Sequence, residues 1–369
     1  MRRLIGEGEL ADLAQGAAVL GTGGGGPPYL GMLLARRAVH ECGPVSLVSL
    51  DELADDACCA DVAMMGAPTV LLEKVPSGEE PLRALEALER AHRRTVTHIV
   101  CGEAGGVNSM VPVVAAARRG LPMVDADGIG RAFPELQMMM PTLYGITAAP
   151  LAITDERGNT GVLRTVDNRW TERIARAITV ELGCNASIAS YLMTGAQARQ
   201  ALVPRTLTLC LELGEAIRCA RAAHRDPVAA VIERLGGRRL FHGRVTDVDR
   251  RTVFGFARGH ALMRGVGEWA DTELRLEFQN EHLVARRDGE LVASVPDLII
   301  VLQEATAEPV TTEELRYGLR VEVVGAACDP RWRSQAGLAV AGPRAFGYDH
   351  EFVPVAAGGP HLGGASWRA

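Results

Sequence analysis

Residues 97–128 read THIVCGEAGGVNSMVPVVAAARRGLPMVDADG, and this stretch decides the fold class. THIVC (97–101) is a short apolar run with a glycine behind it, which predicts a buried strand. Residues 110–119 are rich in valine and alanine at helical spacing, and LPMV (121–124) predicts a second short strand. A strand, a helix and a strand in close succession form the repeating unit of an α/β domain built on a largely parallel sheet. In such sheets ligands sit beyond the carboxyl ends of the strands. Those ends carry Glu103, Gly105, Gly106, Asn108 and Ser109 after the first strand. After the second come Asp125, Asp127, Arg131 and Glu135.

The pattern extends in both directions. Upstream, Leu10, Leu13, Ala14 and Ala17 space a helix over 9–20, and a glycine loop, LGTGGGGPPYLG, follows at 20–31. Pro27 and Pro28 suit the entry of a second helix running to about Val39. Strands are expected at 45–50 and 61–65, a helix at 81–94, and two more strands at 146–153 and 161–166. From 167 to 236 the chain reads as helical. Beyond residue 237, short strands separated by Gly, Asp and Pro predict an antiparallel β-barrel-like unit. The expected organisation is an α/β domain (1–166) with a mostly parallel sheet, then a helical segment (167–236), then a β-barrel-like domain (237–369).

Composition excludes several functions. The formal net charge of -6 gives no bulk attraction to nucleic acid or an anionic membrane, and 4% aromatic content leaves no base-stacking platform. No apolar run approaches a bilayer span, and Glu7, Glu9 and Asp12 interrupt the basic start before a signal-peptide core forms. The 8 cysteines contain no CxxC, which predicts reduced thiols and a cytoplasmic setting rather than a disulfide frame.

Gly21, Gly23 and Gly26 satisfy G-x-G-x-x-G, but a dinucleotide loop follows a strand and this one follows a helix, so no nucleotide cofactor is expected. Consecutive glycines instead let the backbone N–H groups from Thr22 through Gly23, Gly24, Gly25 and Gly26 converge on an oxyanion or carbonyl oxygen. The plainer alternative is a tight helix–helix connection. Asp125 and Asp127, one residue apart, would aim both carboxylates into one site from an extended chain, as an acid–base pair or as ligands of a divalent metal. Equally, Asp125 would cap a helix and Asp127-Gly128 form a turn. Lys74 is the only lysine beside 38 arginines, which marks it as a candidate for work a guanidinium cannot do. Cys101 is a candidate nucleophile without a neighbouring histidine. The 9 histidines form no metal motif. Gln279, Asn280 and Glu281 read either as a hairpin turn or as amide and carboxyl groups offered to a site between domains.

Several segments together resemble the S-methyl-thiohydantoin desulfurase family: GAAVLGTGGGGPPYLG, VAMMGAPTVLLEKVPSG, EAGGVNS, VPVVAAARRGLPMVDADGIGRAFPELQM, TVDNRWTERIARAITVELG and LEFQNEHLVARRDGELVASVPDLI. TTEELRYGLRV and GPRAFGYD extend the resemblance along nearly the whole chain. It implies an N-terminal α/β domain, a C-terminal β-barrel-like domain, and hydrolysis of the carbon–sulfur bond of a thiohydantoin-like cyclic ureide to leave a hydantoin. On that reading Asp125 or Asp127 positions water, through a divalent metal where one is bound. The glycine loop donates to a ring oxygen or a substrate carboxylate, Glu103 and Asn108 hold the ring edges, and Lys74 offsets negative charge. The family usually carries Asp after the four glycines, where this chain has Pro27. The alternative the resemblance leaves open is a ligand-binding accessory partner of a hydantoinase or oxoprolinase. Helix 168–183 is amphipathic enough to serve a homo-oligomer interface.

Overall fold

The computed structural model describes residues 3–66, 70, 74, 76–253 and 256–355. Among them, the first sheet holds nine strands: β1 (Arg3–Ile5), β2 (Val45–Val48), β3 (Cys58–Gly66), β4 (His98–Cys101), β5 (Met123–Asp127), β6 (Leu151–Thr154), β7 (Thr160–Leu163), β8 (Asn185–Thr194) and β9 (Val203–Pro204). Their order is β1-β2-β5-β4-β3-β8-β6-β7, with β9 added on β5. The core of this sheet is apolar on both faces, as Ile99, Val100, Val124 and Ile153 are all buried, which is what helices on either side of a sheet require.

The sheet is mixed rather than mostly parallel. Only β2–β5, β4–β5 and β3–β4 run parallel. The cause is β8, which the sequence reading had assigned to a helical segment. It lies between β3 and β6 and pairs antiparallel with both. Its sequence, NASIASYLMT, is buried along most of its length on both faces, so it lacks the alternation that marks a half-buried strand. A strand from beyond residue 166 therefore completes the first sheet.

Helices α1 (Leu10–Leu20), α2 (Pro28–Cys42), α3 (Glu80–His92), α4 (Val111–Arg119), α5 (Met140–Leu143), α6 (Asn168–Glu181), α7 (Gly195–Ala201), α8 (Thr206–Ala222) and α9 (Pro227–Leu235) connect or cover these strands. The second sheet is antiparallel and curled, ordered β14 (Glu290–Ser294), β13 (Glu281–Arg287), β12 (Glu273–Gln279), β11 (Phe256–Gly265), β10 (Arg238–Val253), β16 (Arg320–Ala326) and β15 (Leu298–Gln303). It has its own core, with Phe241, Met263, Leu276 and Val323 buried together. Helix α10 (Gln335–Ala341) follows. Among the described residues no helix is long and apolar enough to cross a membrane.

Candidate functional site

The glycine loop, the ends of β3 and β4, residues 129–139 and the β12–β13 turn meet around a cavity of about 100 Å³. Its polar lining includes Asp61, Glu103, Asn108, Arg176, Asn280 and Glu281. The turn consists of Asn280 alone, left-handed at φ 57° between the paired Gln279 and Glu281. The Gln279–Glu281 segment is thus both a hairpin turn and a wall of the cavity, so the second sheet contributes to a site seated on the first.

The loop is fixed through its carbonyls. Thr22 O accepts from His282 N (2.8 Å), Gly23 O from Thr312 N (2.9 Å), and Gly25 O from Val107 N (2.7 Å). Gly25 and Gly26 both sit at positive φ, 79° and 78°, and both line the cavity. Their N–H groups have no partner among the described residues. Two successive glycines at positive φ thus leave two backbone donors in the cavity wall. A Cβ at Gly25 would overlap the backbone of Gly105, and one at Gly24 would overlap the Glu281 carboxyl. Behind the loop, the fully buried Arg131 donates to Thr22 Oγ1 (2.8 Å) and to the carbonyls of Pro296 (2.9 Å), Asp297 (2.6 Å) and His282 (3.3 Å). One guanidinium thereby ties the loop to the second sheet.

Three buried carboxyl groups line this cavity together with the half-buried Glu135. Glu103 accepts from Asn108 Nδ2 (2.7 Å) and Phe133 N (3.2 Å). Burial pushes it up to about 7 against those hydrogen bonds, which stabilise its charge. Burial also raises Asp61 to about 7, with the negative Glu103 adding to it and the Ser190 hydroxyl (2.9 Å) opposing. Glu281 is pushed well above the usual carboxylate range, first by burial and then by Glu103, while Arg131 pulls the other way. Oδ1 of Asp61 and Oε2 of Glu281 have no hydrogen-bond partner among the described residues.

These groups make stability depend on pH. Unfolded carboxyls release their protons near pH 4, whereas folded Asp61 and Glu103 hold theirs up to about 7. Between those limits the folded state binds more protons, so stability falls as pH rises. Urea midpoints are expected to drop from pH 5 to pH 8, and Glu103→Gln is expected to shrink that drop. A midpoint that falls equally in both proteins would contradict the assignment.

Asp125 and Asp127 lie within β5, pointing away from the cavity, and neither lines it. Asp125 accepts from Thr208 N (2.8 Å) and Thr208 Oγ1 (2.6 Å), capping the first turn of α8. Asp127 accepts from Ala104 N, Gly130 N and Thr206 Oγ1. It holds the turn that carries Glu103, and burial raises it to about 7. Their geometry is that of the cap and the turn, not of a pair aimed into one site. Asp125→Asn is expected to cost about 1 kcal/mol of stability, as a lost cap does, and to change turnover by less than about threefold. A hundredfold loss of turnover in a folded Asp125→Asn protein would return it to the chemistry.

Lys74 also lies outside the cavity lining. Its ammonium donates to Leu182 O (2.7 Å), just past α6, and pairs with Glu156 (2.7 Å), so it stabilises a helix C-terminus. Residues 67–69, 71–73 and 75 of the surrounding segment are outside the described residues. The Cys101 thiol donates to the carbonyls of Glu103 and Asn108, and burial drives it far from ionisation. Asn108 lines the cavity with its amide committed to Met64 and Glu103, so it positions Glu103 rather than a ring. Pro27 precedes α2 without a side-chain cap and does not line the cavity. Asp61 was not singled out in the sequence. Its signal was a lone carboxylate inside the apolar run CCADVAMMG.

Among the described residues no group of three or more His, Cys, Asp or Glu is arranged to hold a metal ion.

A crystal structure of a protein from Chromobacterium violaceum is similar to this chain at 25% identity with a TM-score of 0.80, covering 96% of this chain and 100% of that one. No curated protein matches it. The family model of the S-Me-THD-like N-terminal domain matches residues 8–165, and that of the S-Me-THD-like C-terminal domain matches residues 166–355. With a two-sheet architecture and nearly every described residue inside those two matches, the chain belongs to the S-Me-THD-like family, that of the S-methyl-thiohydantoin desulfurases.

Proposed function

We propose that this protein is a hydrolase that replaces the C2 thioether of an S-methyl-thiohydantoin by oxygen, releasing a thiol and leaving a hydantoin. The observation that carries the reading is a pair of buried carboxyls, Glu103 and Glu281, that line one cavity beside the N–H groups of Gly25 and Gly26, each raised above its ordinary range by burial. Neighbouring acids whose surroundings separate their proton affinities divide the roles of base and acid.

The proton inventory closes on these residues. Glu103, part-open to the cavity and close to half-ionised at neutral pH, takes a proton from water as the oxygen adds to C2. Glu281, whose protonated form is favoured by its burial and by the neighbouring Glu103, gives its proton to the ring nitrogen at the C2=N bond. The resulting intermediate carries a hydroxyl and the thioether on C2. Its hydroxyl proton passes to the Glu281 carboxylate, the C–S bond breaks, and the departing thiolate takes the proton held by Glu103. Both acids return to their starting state, and the sum is water plus thioether giving hydantoin plus thiol. Gly25 and Gly26 donate to whichever ring oxygen gains charge during addition.

The test is mass spectrometry of the purified protein incubated with 5-substituted S-methyl-thiohydantoins, thiohydantoins and hydantoins. Formation of hydantoin with stoichiometric thiol is expected. Tight retention of a ring without turnover would replace the hydrolase reading by that of a ligand-binding partner for another ring-processing enzyme.

A further inference from the structure

Every polar group of the cavity wall either spends its hydrogen bonds on the protein or keeps some free. Asn108 is committed to Met64 and Glu103, and Arg176 gives Nε to Glu172 and Nη2 to the carbonyl of Pro134. Among the fully buried carboxyl oxygens of the wall, Glu281 Oε2 and Asp61 Oδ1 have no partner among the described residues, and the N–H groups of Gly25 and Gly26 are open beside them. Glu103 and Glu281 have roles in the proposed reaction. Asp61 has none.

Asp61 is only 1% exposed. It shares a strand face with Ala63 and Met65, all three of which line the cavity. An irregularity in β8 opposite Cys59 and Asp61, where Tyr191 adopts φ 42°, pairs Asp61 with Ser190, whose hydroxyl occupies Oδ2. The other oxygen is left toward the turn at Gly102, where a Cβ would stand 2.5 Å from it and side chains are thus excluded. A buried carboxyl with one oxygen anchored and the other unpartnered costs folding free energy unless something supplies a donor.

We propose that Asp61 is the specificity-determining residue that reads a ring N–H of the substrate, so that the site selects cyclic ureides over rings of the same shape lacking that donor. The proposal rests on the ureide-hydrolase reading above and deepens it. Paired with the glycine N–H groups, Asp61 offers one acceptor and two donors, the complement of the adjacent N–H and C=O edge of a ureide. A site that leaves a buried acceptor unpaired rejects the analogue without the donor.

The test is calorimetric binding at pH 8, where Asp61 is ionised, and needs no turnover. The probes are hydantoin, 1-methylhydantoin and 3-methylhydantoin, which stay mostly neutral at that pH and each lack at most one ring N–H. The variant is Asp61→Asn, which keeps the shape and removes the buried charge, and whose fold is checked by its unfolding midpoint. Loss of the donor at one of the two ring positions is expected to weaken binding to the wild type by about tenfold to a hundredfold. In Asp61→Asn, whose amide can donate to a ring oxygen, that ratio is expected to shrink below about threefold. Equal ratios in both proteins would overturn the role of Asp61 while leaving the ureide reading intact. Failure of the wild type to bind any of the rings would overturn both.

Discussion

Glu103→Gln is expected to lower turnover by about a hundredfold to ten-thousandfold, the range lost when a positioned general base is removed. The size follows from the lack of a substitute. On the proposed reading Asp61 holds the ring N–H, the burial of Glu281 favours its protonated form, and Asp125 and Asp127 are spent on contacts outside the cavity. The fold is expected to survive. Above pH 7 the wild-type protein carries a buried charge at this position that burial disfavours, and glutamine carries none. Steady-state turnover paired with urea unfolding at pH 8 separates the two effects. A stable variant with near-normal turnover would remove Glu103 from the chemistry.

Arg131→Met is expected to give the largest loss of stability, about 3–5 kcal/mol, as removal of one partner from a buried charged network does. The side chain is fully buried, and its loss strands the carbonyls of Pro296, Asp297 and His282 away from water. It also removes the positive charge that restrains Glu281 and Glu103, so both carboxyls are expected to hold protons to still higher pH. The kinetic signature is a pH–rate profile displaced upward in whatever folded protein remains. A variant with the wild-type unfolding midpoint would show that the glycine loop does not depend on this guanidinium.

Much of this architecture is legible in the sequence because local signals agree with it. The THIVC and LPMV strands, the helices before and after the glycine loop, and the strand-rich region past 237 all follow from spacing and turn residues. β8 escaped because NASIASYLMT is small and buried on both faces, and because helices flank it in sequence. Its antiparallel direction, which makes the sheet mixed, is set by packing partners over a hundred residues away. The glycine loop and Glu103 stood out from composition and from their place at a strand end, and Gly25, Gly26 and Glu103 line the cavity. Asp61 and Glu281 were harder, since each depends on a tertiary meeting. Asp125 and Asp127 share one face, as period-two spacing requires, and in this fold that face packs on α8 rather than lining the cavity.

The position of β8 also bears on how the chain is made. β3 ends at Gly66 and its neighbour on one side, β8, is complete only at Thr194. At ordinary synthesis rates the ribosome needs about 6–25 seconds to cover that interval. For that time the nascent chain carries an open, apolar sheet edge that no upstream segment closes. Truncation at the match boundary of 165 would make the wait permanent, so a gene split there is expected to yield an aggregating first half, rescued by co-expression of the second.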